Sequence, residues 1–165
     1  MATDLYVNTN QEAGVRSIAG AVFPGKLMVL SGTYEKTAAD NDTSVLRLGT
    51  VPADAVPVGT LSLMGNDALA GATDIDVGVY SAKDGAVVDK DCLSDGLDIN
   101  AGAALGSERR AFQALALDEF GQSLRTLAGG AVGDGDDHYD IAITGNTFGT
   151  ATGTISWVLA FILPQ

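Results

Sequence analysis

The stretch GDGDDHYDIAI at 133–143 gathers four aspartates and the only histidine of the chain. Carboxylates and an imidazole at this density can hold a divalent cation, move a proton, or keep a loop hydrated. A calcium loop places oxygen ligands at positions 1, 3, 5, 7, 9 and 12, with a turn glycine at position 6. Counting from Asp134, position 3 is Asp136, but position 5 is His138, position 6 is Tyr139 and position 12 is Gly145. The template fails at its most informative places. The segment DKDCLSDG at 89–96 offers Asp89, Asp91 and Asp95, yet Leu93 stands where the third ligand belongs. Neither segment supports a metal site, and no cofactor is expected.

Other chemistries fare no better. A glycosidase needs two carboxylates facing each other across a sugar-sized gap. Asp74 and Asp76 share one face of a strand, but that is the face expected to be wet. Nucleophilic catalysis would have to use His138 as its base. No Gly-x-Ser-x-Gly elbow is present, and nothing in the sequence around Cys92 marks an activated thiol. Glycine runs such as GGAVGDG lack the Lys-Ser/Thr partner of a phosphate loop. His138, beside Asp136, Asp137 and Asp140, reads as a hydrated residue at the entrance of a strand. The sequence predicts a protein that is not an enzyme.

The elements that carry these residues follow from composition and period. The 165 residues suit one domain with its own core. The formal charge of -12 repels phosphate backbones and anionic lipid, so neither nucleic acid nor membrane is an expected partner. Cys92 stands alone, which leaves no intrachain disulfide and no cysteine-based zinc site. The opening residues have no basic segment leading into an apolar run, so no secretion signal is expected. The apolar run WVLAFIL at 157–163 is too short to cross a bilayer. Aspartate outnumbers glutamate 17 to 4 beside 21 glycines, a balance that favours turns over helix interiors.

Residues 1–26 are polar, lack a sustained period and close on GAVFPGK; they read as an extended N-terminal arm, with residues 27–165 as one domain. Strand text then recurs: LMVLSGTYE, SVLRLGTV, VGTLSLM, DIDVGVYSA, HYDIAITG and TISWVLAFIL. In DIDVGVYSA the period of two sends Ile75, Val77 and Val79 inward and leaves Asp74, Asp76 and Gly78 on a wet face. Asp84-Gly85 is a hairpin signal. The final strand is apolar on both faces, which places it centrally in a sheet. Residues 89–110 read as loop. Residues 108–128, with Phe112, Leu115, Phe120, Leu124 and Leu127 in a stripe, predict one interrupted helix or two short ones. The sum is a mainly β protein: an antiparallel β-sandwich, jelly-roll-like, with one short helical insertion.

The order of these segments carries a resemblance. An R-L-x-x-V-P strand (Arg47 to Pro52), a strand reaching Asn66-Asp67, the DIDVGVY strand, the GAVVDKD loop and the Thr/Gly-rich C-terminal strand pair follow one another over about residues 40–163. This succession resembles small virion proteins of tailed bacteriophages, in particular capsid decoration (cement) and other head-associated proteins. The resemblance implies a structural protein on the capsid surface, made in the host cytoplasm, with the major capsid protein as partner. It also implies a homo-oligomer, for which a trimer suits a three-fold lattice position. The contact residues expected on this reading are Leu5, Tyr6, Val7, Arg16 and Phe23 of the arm, with Arg109 and Arg110. Two rival expectations are a carbohydrate- or receptor-binding β-sandwich of a head or tail fibre, and a calcium-dependent hydrolase.

Overall fold

The computed structural model describes residues 25–104, 110–130 and 136–163. Leu5, Tyr6, Val7, Arg16, Phe23 and Arg109 lie outside the described residues. The described chain forms eight strands: β1 (Lys26–Lys36), β2 (Val45–Pro52), β3 (Val56–Pro57), β4 (Leu63–Asn66), β5 (Asp74–Ser81), β6 (Val87–Leu97), β7 (His138–Thr147) and β8 (Gly153–Leu163). They make two antiparallel sheets. One is ordered β1-β8-β3, with β4 also paired to β8; the other is ordered β2-β7-β5-β6. The expected antiparallel β-sandwich is what the chain adopts.

Each sheet is built on an apolar central strand. In β8, Ile155, Trp157, Leu159 and Phe161 point into the core, and β1 covers one edge of the strand while β3 and β4 cover the other. In β7, Tyr139, Ile141 and Ile143 are fully buried beneath them. Burying such side chains stabilises by about 1.5–3 kcal/mol each. Phe148, in the turn between β7 and β8, joins the same core. Lys36 is also fully buried: its ammonium donates to the carbonyls of Gly149 (3.0 Å) and Ala151 (2.9 Å) and lies 4.7 Å from the centre of the Phe148 ring. A buried cation is tolerated there because backbone oxygens and a ring face replace its water.

Three expectations change. Residues 89–97 are strand, not loop: β6 pairs with β5 through repeated register shifts, and those bulges hid its period. The segment expected as a strand from Val58 opens instead with a 3₁₀ turn, Gly59–Leu61, and pairs only from Leu63. The helical text around 108–128 yields only a 3₁₀ turn, Leu117–Glu119, and one α-helical turn, α1 (Leu124–Leu127). Its apolar residues are used otherwise. Phe112 packs on Phe161 of β8 with ring centres 5.7 Å apart, and Leu124 is fully buried, so packing against the sheets replaces the helical stripe.

Candidate interaction surface

The acidic residues singled out by their density fall into separate, internally paired groups. At one end of the second sheet, Asp140 accepts from Arg47 Nη1 and Thr50 Oγ1, both at 2.6 Å, while Arg47 Nη2 reaches the Gly85 carbonyl (3.2 Å). The Arg47 guanidinium also lies over the Tyr80 ring, 5.2 Å from its centre. Beside them, Thr50, Ala82, Lys83, Asp136, Asp137 and His138 surround a shallow depression of about 420 Å³. Asp74 stands at the far end of β5, opposite Thr147, whereas His138 opens β7. At about 3.3 Å per residue, some 30 Å of strand separates the two. Asp74, Asp140 and His138 therefore do not meet over a substrate.

A second group sits on the β5 face expected to be wet. That face is covered instead: Asp76 is 1% exposed and Gly78 is buried. The bulged β6 folds over them so closely that a Cβ on Gly78 would come within 2.2 Å of the Asp89 carbonyl oxygen. Asp76 is fully engaged. It accepts from Asn146 Nδ2 (2.6 Å) and the Gly96 N–H (3.1 Å), and Lys90 Nζ lies 3.1 Å away. The hydrogen-bonded Asp76 carboxylate holds the Lys90 ammonium above its ordinary pKa. Lys90 also donates to Asn146 Oδ1 (2.7 Å), and Asn146 donates to Asp74 Oδ1 (3.0 Å). Asp91 and Asp95 bring oxygens within 4.8 Å of those of Asp76, a convergence that sequence spacing alone did not reveal. These donors are the oxygen type that calcium prefers, but a lysine already supplies the positive charge at Asp76.

Cys92 is no nucleophile. Burial, reinforced by the charges of Asp89 and Asp91, pushes its thiol up to about 12, whereas reactive thiols are lowered. Burial also pushes the Asp89 carboxyl up, and the hydrogen bond its protonated form donates to the Asp91 carboxylate adds to the shift. The carboxylates that do come together, Asp76 with Asp91 and Asp95 and Asp89 with Asp91, lie on β5 and β6 beside Lys90.

The surface feature that stands out is apolar. Leu117 is 90% exposed, Phe120 57% and Leu61 53%. Phe120 lines a groove of about 260 Å³ together with Thr60, Arg110, Phe112 and Leu115, and Leu61 and Leu117 lie within two residues of lining residues in the chain. The local chemistry explains why these residues stay outside. Ala111 N–H donates to the Ser62 carbonyl (2.9 Å) and Ala114 N–H to the Leu93 carbonyl (3.0 Å), which pins residues 110–114 across the edges of both sheets. Phe112 is thereby drawn into the core, and the chain beyond Leu115 projects outward. There the Glu119 carboxylate accepts from the Ala116 N–H (2.8 Å) and closes the Leu117–Glu119 turn. Arg110, expected to make contacts, is exposed on this groove. Phe120 was legible only as part of a helix stripe and Leu61 as a strand residue, and Leu117 carried no signal of its own.

Fold and surface together define an acidic two-sheet β-sandwich with one apolar, arginine-bearing end. Its fold is similar to that of a chain in the capsid of Ralstonia phage GP4, with a TM-score of 0.51 and 18% identity over 92% of this chain and 94% of that chain. A chain of the cyanophage Pam1 capsid asymmetric unit is similar at a TM-score of 0.45 and 18% identity, over 92% and 96% of the two chains. A chain of the acidic stable capsid of Helicobacter pylori bacteriophage KHP30 follows at 0.47 and 12%, over 84% and 89%. No family model matches the sequence, and no curated protein matches it.

Proposed function

We propose that this chain is a non-enzymatic structural protein of a bacteriophage virion. In this reading it is a decoration or cement protein that binds the outer surface of the major capsid protein shell and stabilises it. The observation that carries the reading is the shared fold with a phage capsid chain along nearly the whole of both chains.

Two further features support it. The chain crosses between the sheets at β1–β2, β2–β3, β4–β5 and β7–β8, giving β1-β8-β3/β4 facing β2-β7-β5-β6, and residues 103 and 110 bridge to β4 on its outer edge. We read this order as a jelly roll, an architecture that recurs in viral capsid domains. The apolar end with Leu61, Leu117, Phe120 and Arg110 supplies the adhesive face, while the -12 charge keeps the outward surface hydrated and away from packaged DNA. The fibre-type reading predicts an exposed aromatic cluster. Among the described residues, Phe120 is the one aromatic side chain more than half exposed, so that reading gains no support.

The test is co-sedimentation of the purified protein with particles of its phage from which it has been removed. The proposal expects saturable binding and restored resistance of the particles to heat. Absence of binding at micromolar protein would refute it.

A further inference from the structure

The four sheet edges of this sandwich are not treated alike. The β4 edge is bridged at Leu63 by Arg110 and at Asn66 by Ala103, and its neighbour β3 is two residues long and ends in Pro57. The β6 edge is broken by three register shifts, partly covered by residues 113–114, and lined with Asp89, Asp91 and Asp95. The β2 edge carries a bulge between Arg47 and Gly49 and ends in Pro52. Bulges, prolines, charge and covering segments are the devices that keep a sheet edge from recruiting another strand.

Among the described residues the β1 edge has no bulge, no proline and no covering segment, and its charges stand only at its ends, on Lys26, Glu35 and Lys36. Its eleven residues pair with β8 in unbroken register from Lys26↔Leu163 to Lys36↔Gly153. It contains no proline, and the eight residues Leu27–Tyr34 carry no charge. Among the described residues β1 pairs with β8 alone, and no backbone hydrogen bond from another segment reaches it. An antiparallel strand with one partner leaves about half of its N–H and C=O groups pointing outward. Val29, midway along this open edge, is 51% exposed.

We propose that the β1 edge is completed by strand addition from another copy of the chain, and that the added strand is the segment AGVRSIAGAVF, residues 13–23. Length and charge select this occupant. The segment has eleven residues, as β1 has, and contains β-branched and small apolar residues with no proline. In a protein of charge -12, its only charged residue is Arg16. A strand of this kind suits an acidic neighbour, where an acidic strand would be repelled.

The Pro24-Gly25 pair argues for a neighbour's edge over the segment's own, because Gly25 is packed against the end of β8: a Cβ on it would lie 2.3 Å from the Leu163 carbonyl oxygen. Folding residues 13–23 back onto their own β1 needs a tight reversal at Pro24-Gly25. The favoured two-residue hairpin turns require a positive φ at their first central residue, which proline does not adopt. Exchange between copies does not depend on the shell and precedes docking to it.

Three measurements on the free protein test the proposal. Light scattering is expected to show an oligomer for the full chain and a monomer after deletion of residues 1–23; equal oligomeric states would overturn it. Hydrogen exchange should reveal alternate β1 amides protected in the full chain and exchanging at least tenfold faster after the deletion. Unchanged protection would contradict the proposal even if the deletion altered the mass. Third, Ser17→Cys is combined in turn with Val29→Cys, Ser31→Cys and Thr33→Cys in the full chain and oxidised. Cys92, with its thiol pushed up to about 12, does not compete. Covalent dimers and larger species are expected, whereas closure within a single chain, or no cross-link in any pair, would exclude exchange between copies.

Discussion

Asp40 shows what the aspartates of this chain do one by one. Its carboxylate accepts from the Thr37 N–H (2.7 Å), the Tyr34 hydroxyl (2.9 Å) and the Thr37 hydroxyl (3.0 Å), and closes the turn after β1. The Thr37 N–H, before any other contact, holds its pKa below the usual carboxylate range. A lowered folded-state pKa adds stability that is whole above the ordinary value near 4 and is lost as pH falls through the lowered one. Asp40→Asn is therefore expected to melt below the parent at pH 7, with the gap closing towards about pH 2.5. Thermal melts at both pH values check this, and an equal gap at each would contradict it. Lys36→Met keeps the volume but strips donors from the Gly149 and Ala151 carbonyls. It should cost about 1–3 kcal/mol in urea unfolding. At this scale the sequence was a partial guide. It marked the aspartates by their density, but it placed Asp76 in water, because nothing in the spacing of β5 announces that another strand folds over it.

At the scale of elements, the period of two was readable wherever a strand has regular partners. β5, β7 and β8 were legible for that reason, and so was the central place of β8, from its apolar residues on both faces. β6 was not, because each bulge resets the alternation and its aspartates imitate a loop. The 108–128 stripe misled for a different reason. Its apolar residues are claimed singly, Phe112 by β8 and Leu124 by the core, and Gly121 adopts a positive φ of 85° that ends any helical continuation. The fit of β6 over β5 makes a sharp prediction. Gly78→Ala sets a methyl group against the Asp89 and Lys90 backbone, which cannot swing aside as a side chain would. A loss of about 1–3 kcal/mol is expected, read by denaturant titration. Lys90→Met is the companion test. It should remove the counter-ion of Asp76, which keeps its bonds from Asn146 and Gly96, and destabilise by about 1 kcal/mol, since Lys90 is partly screened by solvent. A neutral effect would show that the face over β5 is less closed than its burial implies.

For the whole molecule, charge and shape divide the labour. The formal charge of -12 repels phosphate backbones, and the sandwich exposes an apolar groove at Phe120. How that end is composed was hidden in the sequence, since the groove beside Phe120 is made by residues 110–114 crossing the sheet edges to meet Gly59 and Thr60. Substituting exposed residues away from caps and core leaves stability within about 0.5 kcal/mol. Leu117→Glu and Phe120→Asp are therefore expected to melt like the parent while losing their hold on the shell. The most direct measurement is the occupancy of the protein on capsids in cryo-electron micrographs, after adding either the parent or the Leu117→Glu/Phe120→Asp double variant to stripped particles. The proposed function predicts ordered density on the outer surface for the parent, and at least about a tenfold weaker affinity, or roughly 1.4 kcal/mol, for the variant. Bare shells with the parent protein, or equal decoration by both, would contradict it.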